Sequence, residues 1–392
     1  MPIRKTKRGL ERTPLNADAD VLICGASFAG LAVARELAGS SARVMMIDRY
    51  EIGERQTSAC AAPTAWLERL GLAGSIRQTF DELVVHTPHG TARPKLPWTL
   101  STFDYRELCA LLAAQGDFEF DTAKVEGRSG TTVHTDRGEL SAPLVVDALG
   151  WRRVLASDGV YQPPEAPLSR GLEVHPQGQS RDLEVWIDRR YVPAGYGWRF
   201  PAGGELRVGV GSFDPRFHVK DTTVLLTEDL ELPAVGYQGN WIPHRLRKAT
   251  APGPIFFAGD SAGHCLPLTA EGIRTAFYFG IALGRELRAV VGRKQSRETA
   301  LERYDRFNET HRWKFDTLLK GQRLLPRIRP RLLPPLFALL SRKRVADWAF
   351  EHYLRVAPPE FADRTGGAHT LRPGQGSSTD STTASALGLT GS

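Results

Sequence analysis

Apolar positions fall in two patterns along the chain, short unbroken runs and alternating stretches. Val21-Leu22-Ile23-Cys24, Leu144-Val145-Val146 and Ile255-Phe256-Phe257-Ala258 are unbroken, as expected of strands buried on both faces of a parallel sheet. After the first run the spacing predicts a helix over 28–38, with Leu31, Ala32 and Leu37 for one face, and a second strand over 43–47 ending at Asp48. Asp104 has N-cap chemistry ahead of a helix carrying Leu108, Leu111 and Leu112. Between about 165 and 235 the pattern changes. Segments such as 183–187 and 206–210 are separated by Gly and Pro, which predicts antiparallel strands. A helix is expected over 269–291. After Ser296 a helical stripe runs through Leu301, Tyr304, Asn308, His311, Phe315 and Leu318.

Composition excludes more than it identifies. With 41% hydrophobic and 24% charged residues in 392, the chain is neither disordered nor membrane-spanning in character, and two or three structural units are expected. The net charge of +7 is concentrated. Residues 1–13 carry +4, and 320–344 hold eight cations and no acid, so the rest of the chain is net negative. A nucleic-acid-binding surface is therefore not expected. The four cysteines match neither a zinc pattern nor a disulfide framework, and a cytoplasmic setting is expected. No apolar run is long enough to span a bilayer, and no apolar stretch of a signal peptide follows the basic N-terminus.

The chemistry lies in two turns. Gly25-Ala26-Ser27-Phe28-Ala29-Gly30 joins strand to helix, with Asp48 and Arg49 at the end of the next strand. Gly25 permits the tight turn, Gly30 lets helix and strand approach, and free N–H groups at the helix start attract a pyrophosphate. Ser27 stands where the fingerprint usually has glycine. Asp48 is placed to accept from ribose hydroxyls. The second turn, Gly259-Asp260, follows the last apolar run and continues to Gly272-Ile273, where a helix N-terminus favours negative charge on a reduced flavin ring. Together these features predict FAD as the cofactor.

On these residues, and on Asp104-Tyr105-Arg106 and Asp147-Ala148-Leu149-Gly150, the chain resembles the geranylgeranyl reductase family of FAD-dependent oxidoreductases, related to the aromatic-ring hydroxylases. The resemblance spans roughly residues 18–295. It implies that Arg106 contacts FAD and that Asp260 meets the ribityl chain. Tyr196-Gly197-Trp198-Arg199-Phe200-Pro201 looks like the family's Tyr-x-Trp-x-Phe-Pro motif beside a lipid substrate; Tyr196 and Trp198, two apart on a strand, point to one face. Cys60 resembles a cysteine near the flavin in archaeal members, although Ala61-Ala62-Pro63 replace the usual glycines.

The fold class expected is α/β, a Rossmann-like FAD-binding domain with an inserted antiparallel β-sheet substrate domain and a C-terminal helical segment. The division expected is 18–84, 101–160 and 243–295 for FAD, 85–100 and 161–242 for substrate, and 296–360 helical, between disordered tails 1–17 and 361–392. The reaction implied is reduction of carbon–carbon double bonds in an isoprenoid or similar apolar chain. Hydride would come from reduced FAD and a proton from Cys60, Tyr196 or a held water, with Trp198 beside the substrate. With a single dinucleotide fingerprint, the electron donor stays open among NADPH, a ferredoxin and a quinone. An FAD monooxygenase is the alternative; a halogenase fits less well, because no lysine occurs between Lys7 and Lys95. The Leu324–Leu340 stretch, apolar, basic and interrupted by prolines, suits either peripheral contact with an anionic membrane or packing on the domain.

Overall fold

The computed structural model describes residues 14–15, 18–56, 58–156, 168–253 and 255–363. Most of both expected tails lies outside these. Leu15, however, is buried, and its N–H donates to Arg137 O at 2.8 Å. At the other end the ordered chain continues through Asp363, which pairs with Arg69 at 2.7 Å.

The unbroken apolar runs do form a parallel sheet. Its six strands are ordered Thr250–Ala251, Ile255–Phe257, Leu144–Asp147, Val21–Cys24, Val44–Asp48 and Glu119–Thr122, and only the first is antiparallel to its neighbour. The register sets Cys24 beside both Asp147 and Ile47, and Asp147 beside Phe257. Carboxyl ends of these strands therefore open at one edge, where α/β sheets bind ligands. The helix Phe28–Leu37 is buried along its length because it lies between this sheet and the helix Ile273–Val291. That contact needs Gly280, where a Cβ would stand 2.7 Å from Ala29 O.

A second sheet of nine strands carries the alternating segments. It is antiparallel except that Leu183–Trp186 runs parallel to Ile76–Thr87. Leu168–Val174, Gly195–Ala202, Glu205–Ser212 and Gln238–Pro243 form its centre and one edge, while Ile76–Thr87, Lys95–Phe103 and Ala61–Pro63 complete the other. A small three-stranded sheet, 125–141, and the C-terminal helices complete an α/β architecture of the expected class.

Two helix expectations change. The helix expected from 269 begins at Ile273, because Leu268 and Ala270 adopt positive φ (73° and 53°) and Leu266 N–H donates to Glu271 O at 2.9 Å, closing a turn that cannot be helical. The stripe after Ser296 is split at His311 into Arg297–Thr310 and Arg312–Leu324, although Tyr304, Asn308 and Phe315 are buried as expected.

Candidate functional site

The first turn needs its glycines. A Cβ on Gly25, at φ +115°, would lie 2.2 Å from Ala148 O, and one on Gly30 would lie 1.9 Å from Gly25 O. Ser27 is the N-cap of the helix but makes no side-chain cap; its Oγ meets Tyr105 Oη at 3.1 Å instead. No acid occupies the first helical turn. The N–H groups of Phe28, Ala29 and Gly30 thus have no partner in the helix, which is the arrangement that holds a pyrophosphate. Asp48 closes the next strand. Its two oxygens accept from Ala26 N at 2.9 Å and Tyr50 N at 3.1 Å, and burial raises the carboxyl above its ordinary value against those bonds. Each oxygen keeps a lone pair for a further donor. Exposed Arg49 rests on the Tyr50 ring at 4.8 Å.

The second turn comes against the first. Gly259, at φ +64°, lies so close to the helix that a Cβ would meet Ala29 Cβ at 2.9 Å. Next to it, the Asp260 carboxylate has no hydrogen-bond or ion-pair partner among the described residues, and desolvation alone pushes its pKa up to about 6. The residue is half-buried rather than sealed in, so these unpartnered acceptor atoms stand open to donors from a ligand. The glycine cradle, the open helix N-terminus and this orphaned carboxylate all fit a dinucleotide with a polyhydroxyl arm. Gly272 and Ile273 begin the next helix, also without a side-chain cap or a first-turn acid. Arg106 is exposed in the first turn of Tyr105–Ala113, its backbone against Gly53, where a Cβ would come within 3.0 Å. Its side chain forms no hydrogen bond or ion pair among the described residues.

Two supports for these turns were not legible in the sequence. His264 is fully buried; Gly259 N–H donates to its Nδ1 at 3.1 Å, and Nε2 meets Asn308 Oδ1 at 2.9 Å. Burial holds the imidazole neutral, with a pKa of about 3, so it locks the Gly259-Asp260 turn without adding charge. Asp147 is likewise a rivet, accepting from Ser261 Oγ at 2.7 Å, Leu149 N at 3.0 Å and Leu155 N at 2.9 Å.

Tyr196 and Trp198 do share one face, with ring centroids 6.0 Å apart. The indole lies over the neighbouring strand where Gly209 leaves room; a Cβ there would be 2.3 Å from Trp198 Cζ2. Tyr196 Oη donates to Thr269 O at 2.5 Å, tying this face to the loop that follows Asp260. Behind the indole, buried Glu173 accepts from Trp198 Nε1 at 3.1 Å and Gln238 Nε2 at 3.0 Å, and bonds His175 Nε2 at 3.0 Å. Burial pulls the His175 pKa down, but Glu173 and Glu205 together raise it to about 9. Arg207 continues the network, binding Glu205 at 3.1 Å and the carbonyls of Ala59 at 3.0 Å and Cys60 at 3.3 Å. Cys60 itself is enclosed at φ +54°, its Sγ donating to Ser58 O at 3.2 Å, and burial raises its thiol well above the ordinary value. It lies with Arg207 and Glu173, whereas Cys265 lies with Asp260 and Glu271.

Glu173→Ala is expected to cost about 1.5–3 kcal/mol in urea unfolding at pH 7, because it removes one of the two carboxylates that hold His175 and leaves the Trp198 indole N–H without its acceptor. The His175 pKa is raised on folding, so the stabilisation from its pairing is complete below about pH 6.5 and is lost as pH rises through about 9. A wild-type to Glu173→Ala difference that does not shrink between pH 7 and 10 would contradict this account.

No family model matches the chain. Digeranylgeranylglycerophospholipid reductase 3 of Methanosphaera stadtmanae is 23% identical over 339 residues, 75% of this chain and 83% of that one. Over most of its length the chain is similar in sequence to proteins named digeranylgeranylglycerophospholipid reductase. Among solved structures, a geranylgeranyl bacteriochlorophyll reductase-like protein of Thermoplasma acidophilum matches with a TM-score of 0.73 at 17% identity, over 88% of this chain and 97% of that one. The p-nitrophenol 4-monooxygenase of Pseudomonas putida matches with a TM-score of 0.67, also at 17% identity, over 88% and 99%. These two likenesses show the fold.

Proposed function

We propose that this protein is an FAD-dependent oxidoreductase that reduces carbon–carbon double bonds in an isoprenoid or other lipid-like chain. The observation that carries the reading is Asp260, a half-buried carboxylate without a partner among the described residues, next to the glycine cradle and in a turn whose following loop is tied at Thr269 to the hydroxyl of Tyr196. Backbone N–H groups of Ser27, Phe28, Ala29 and Gly30, with Gly25 for the turn, hold the pyrophosphate. Asp48 and Arg49 take the adenosine side, Asp260 with Gly259 the ribityl chain, Arg106 a further cofactor contact, and Gly272-Ile273 the ring edge. When bound, FAD supplies the hydride.

The chain's own residues orient the substrate and deliver the proton. Tyr196 and Trp198 hold an apolar chain by their ring faces and exclude water. An isolated alkene accepts hydride poorly, so the proton must arrive with it. Burial keeps both the Cys60 thiol and the Tyr196 phenol protonated at neutral pH, the state a donor requires. Each already donates to a backbone carbonyl, Ser58 O or Thr269 O, and would turn that proton toward substrate; a held water is the third candidate.

Among the described residues no helix is long and apolar enough to cross a membrane. Leu324, Leu332, Leu336 and Leu339 are nevertheless exposed between Arg323, Arg327, Arg329, Arg331 and Arg342. This surface suits peripheral docking of a cytoplasmic protein on anionic lipid, where an isoprenoid substrate resides. The electron donor is NADPH, a ferredoxin or a quinone.

The test is anaerobic reduction of the purified flavoprotein, followed by geranylgeranyl lipid presented in anionic or neutral vesicles. Flavin reoxidation with a gain of two mass units per bond is expected, together with co-sedimentation with anionic vesicles alone. Reoxidation only by oxygen, with NADPH-dependent oxygen uptake on adding substrate, would replace this reading with a monooxygenase, to which the hydroxylase likeness of the fold lends some support.

A further inference from the structure

The loop between the Gly259-Asp260 turn and the helix Ile273–Val291 is held in a conformation that its own sequence does not favour. Leu268 and Ala270 both occupy the left-handed region, at φ 73° and 53°, and neither is glycine. Side chains there crowd the following carbonyl, so such residues persist only where surrounding contacts over-determine them. Most of those contacts come from the C-terminal helices. Leu268 N–H donates to Gln322 Oε1 at 2.9 Å. Tyr353, in the last turn of the helix Lys343–Leu354, reaches back to place its hydroxyl between Thr269 and Glu271. Tyr353 Oη donates to Glu271 Oε2, and meets Thr269 Oγ1 at 2.8 Å.

The anchor beneath this contact is Arg274, whose side chain is fully buried. Its Nε donates to Glu271 Oε1 at 2.5 Å, while its other nitrogens donate to Leu354 O at 2.9 Å and Tyr353 O at 3.0 Å. The guanidinium also lies over the Tyr353 ring, 4.5 Å from its centroid. One buried cation therefore caps the end of the C-terminal helix and orients the carboxylate that Tyr353 grips. Thr269, held on its side chain by Tyr353, receives Tyr196 Oη on its carbonyl.

We propose that the helix Lys343–Leu354 is a latch on the 265–272 loop, with Tyr353 the positioning residue that holds the strained backbone of this loop and, through Thr269, the hydroxyl of Tyr196. The latch is a matter of this chain's own contacts. Its consequence for turnover rests on the proposed FAD-dependent reductase reading.

Two measurements on Tyr353→Phe separate the latch from that reading. In flavin-free protein, the amides of Leu266, Leu268, Thr269, Ala270 and Glu271 are expected to exchange with deuterium about tenfold faster than in wild type, with those of Val21–Cys24 unchanged, because a hydrogen bond to a carboxylate has been removed. In the loaded enzyme, kcat for lipid reduction is expected to fall about tenfold at unchanged flavin content and thermal midpoint. Unchanged exchange in the loop would overturn the latch, whatever the activity. Faster exchange with full activity would support the latch and refute only the role given to the loop in catalysis.

Discussion

Gly30→Ala is expected to give a protein that retains essentially no flavin and unfolds several degrees earlier than wild type. The added Cβ would stand 1.9 Å from Gly25 O, a backbone atom with no rotamer to move. Relief requires lifting the helix Phe28–Leu37 off its strand. That motion is blocked from behind, since Gly280 already lets the opposing helix approach to where a Cβ would touch Ala29 O and Ala32 Cβ. Overpacking of this kind costs about 1–3 kcal/mol or more, and the helix N-terminus moves away from any pyrophosphate. Gly127→Ala is the control. It has open space around it and is expected to shift stability by no more than about 0.5 kcal/mol. Thermal midpoints of the apoproteins, with the 450 nm absorbance of the proteins as purified, check both halves of the expectation.

Asp260→Asn is expected to move stability and cofactor binding in opposite directions. The folded-state pKa of about 6 is above the ordinary 3.8, so the folded chain holds this proton more tightly than the unfolded one. The contribution of the carboxyl to stability is therefore highest below about pH 4, and it is lost as pH rises through about 6, with a ceiling of about 3 kcal/mol. At pH 7.5 the flavin-free Asn variant, which has no charge to desolvate, is expected to melt about 2–4 °C above wild type, and at pH 4 to show no advantage. Flavin affinity is expected to fall about 10–100-fold, since a charged acceptor for the ribityl hydroxyls is gone. A variant that melts higher yet binds flavin as tightly as wild type would remove Asp260 from the cofactor site and leave its orphaned charge unexplained.

The sequence alone determined the elements whose signal is local. An unbroken apolar run such as Val21–Cys24 can only be buried on both faces, and glycines at 25 and 30 with an acid at 48 mark a strand–turn–helix–strand unit whose spacing is set by backbone geometry. The aromatic pair at 196 and 198 was legible for the same reason, because side chains two apart on a strand share a face. Tertiary structure decided what depends on distant partners. That Asp260 has no donor follows from which groups the fold brings near it, and its twin in appearance, Asp147, is fully satisfied by Ser261 and two backbone amides. The late start of the helix at Ile273 has the same origin. Nothing in Thr269-Ala270-Glu271 forbids a helical turn, but contacts from Gln322 and Tyr353, some 50 and 80 residues away, hold Leu268 and Ala270 left-handed. His264 and Glu173 are polar residues in otherwise ordinary stretches. Only the packing of Asn308 against one and Trp198 against the other makes them supports of the site, and long-range contacts of that kind leave no periodic trace in the chain.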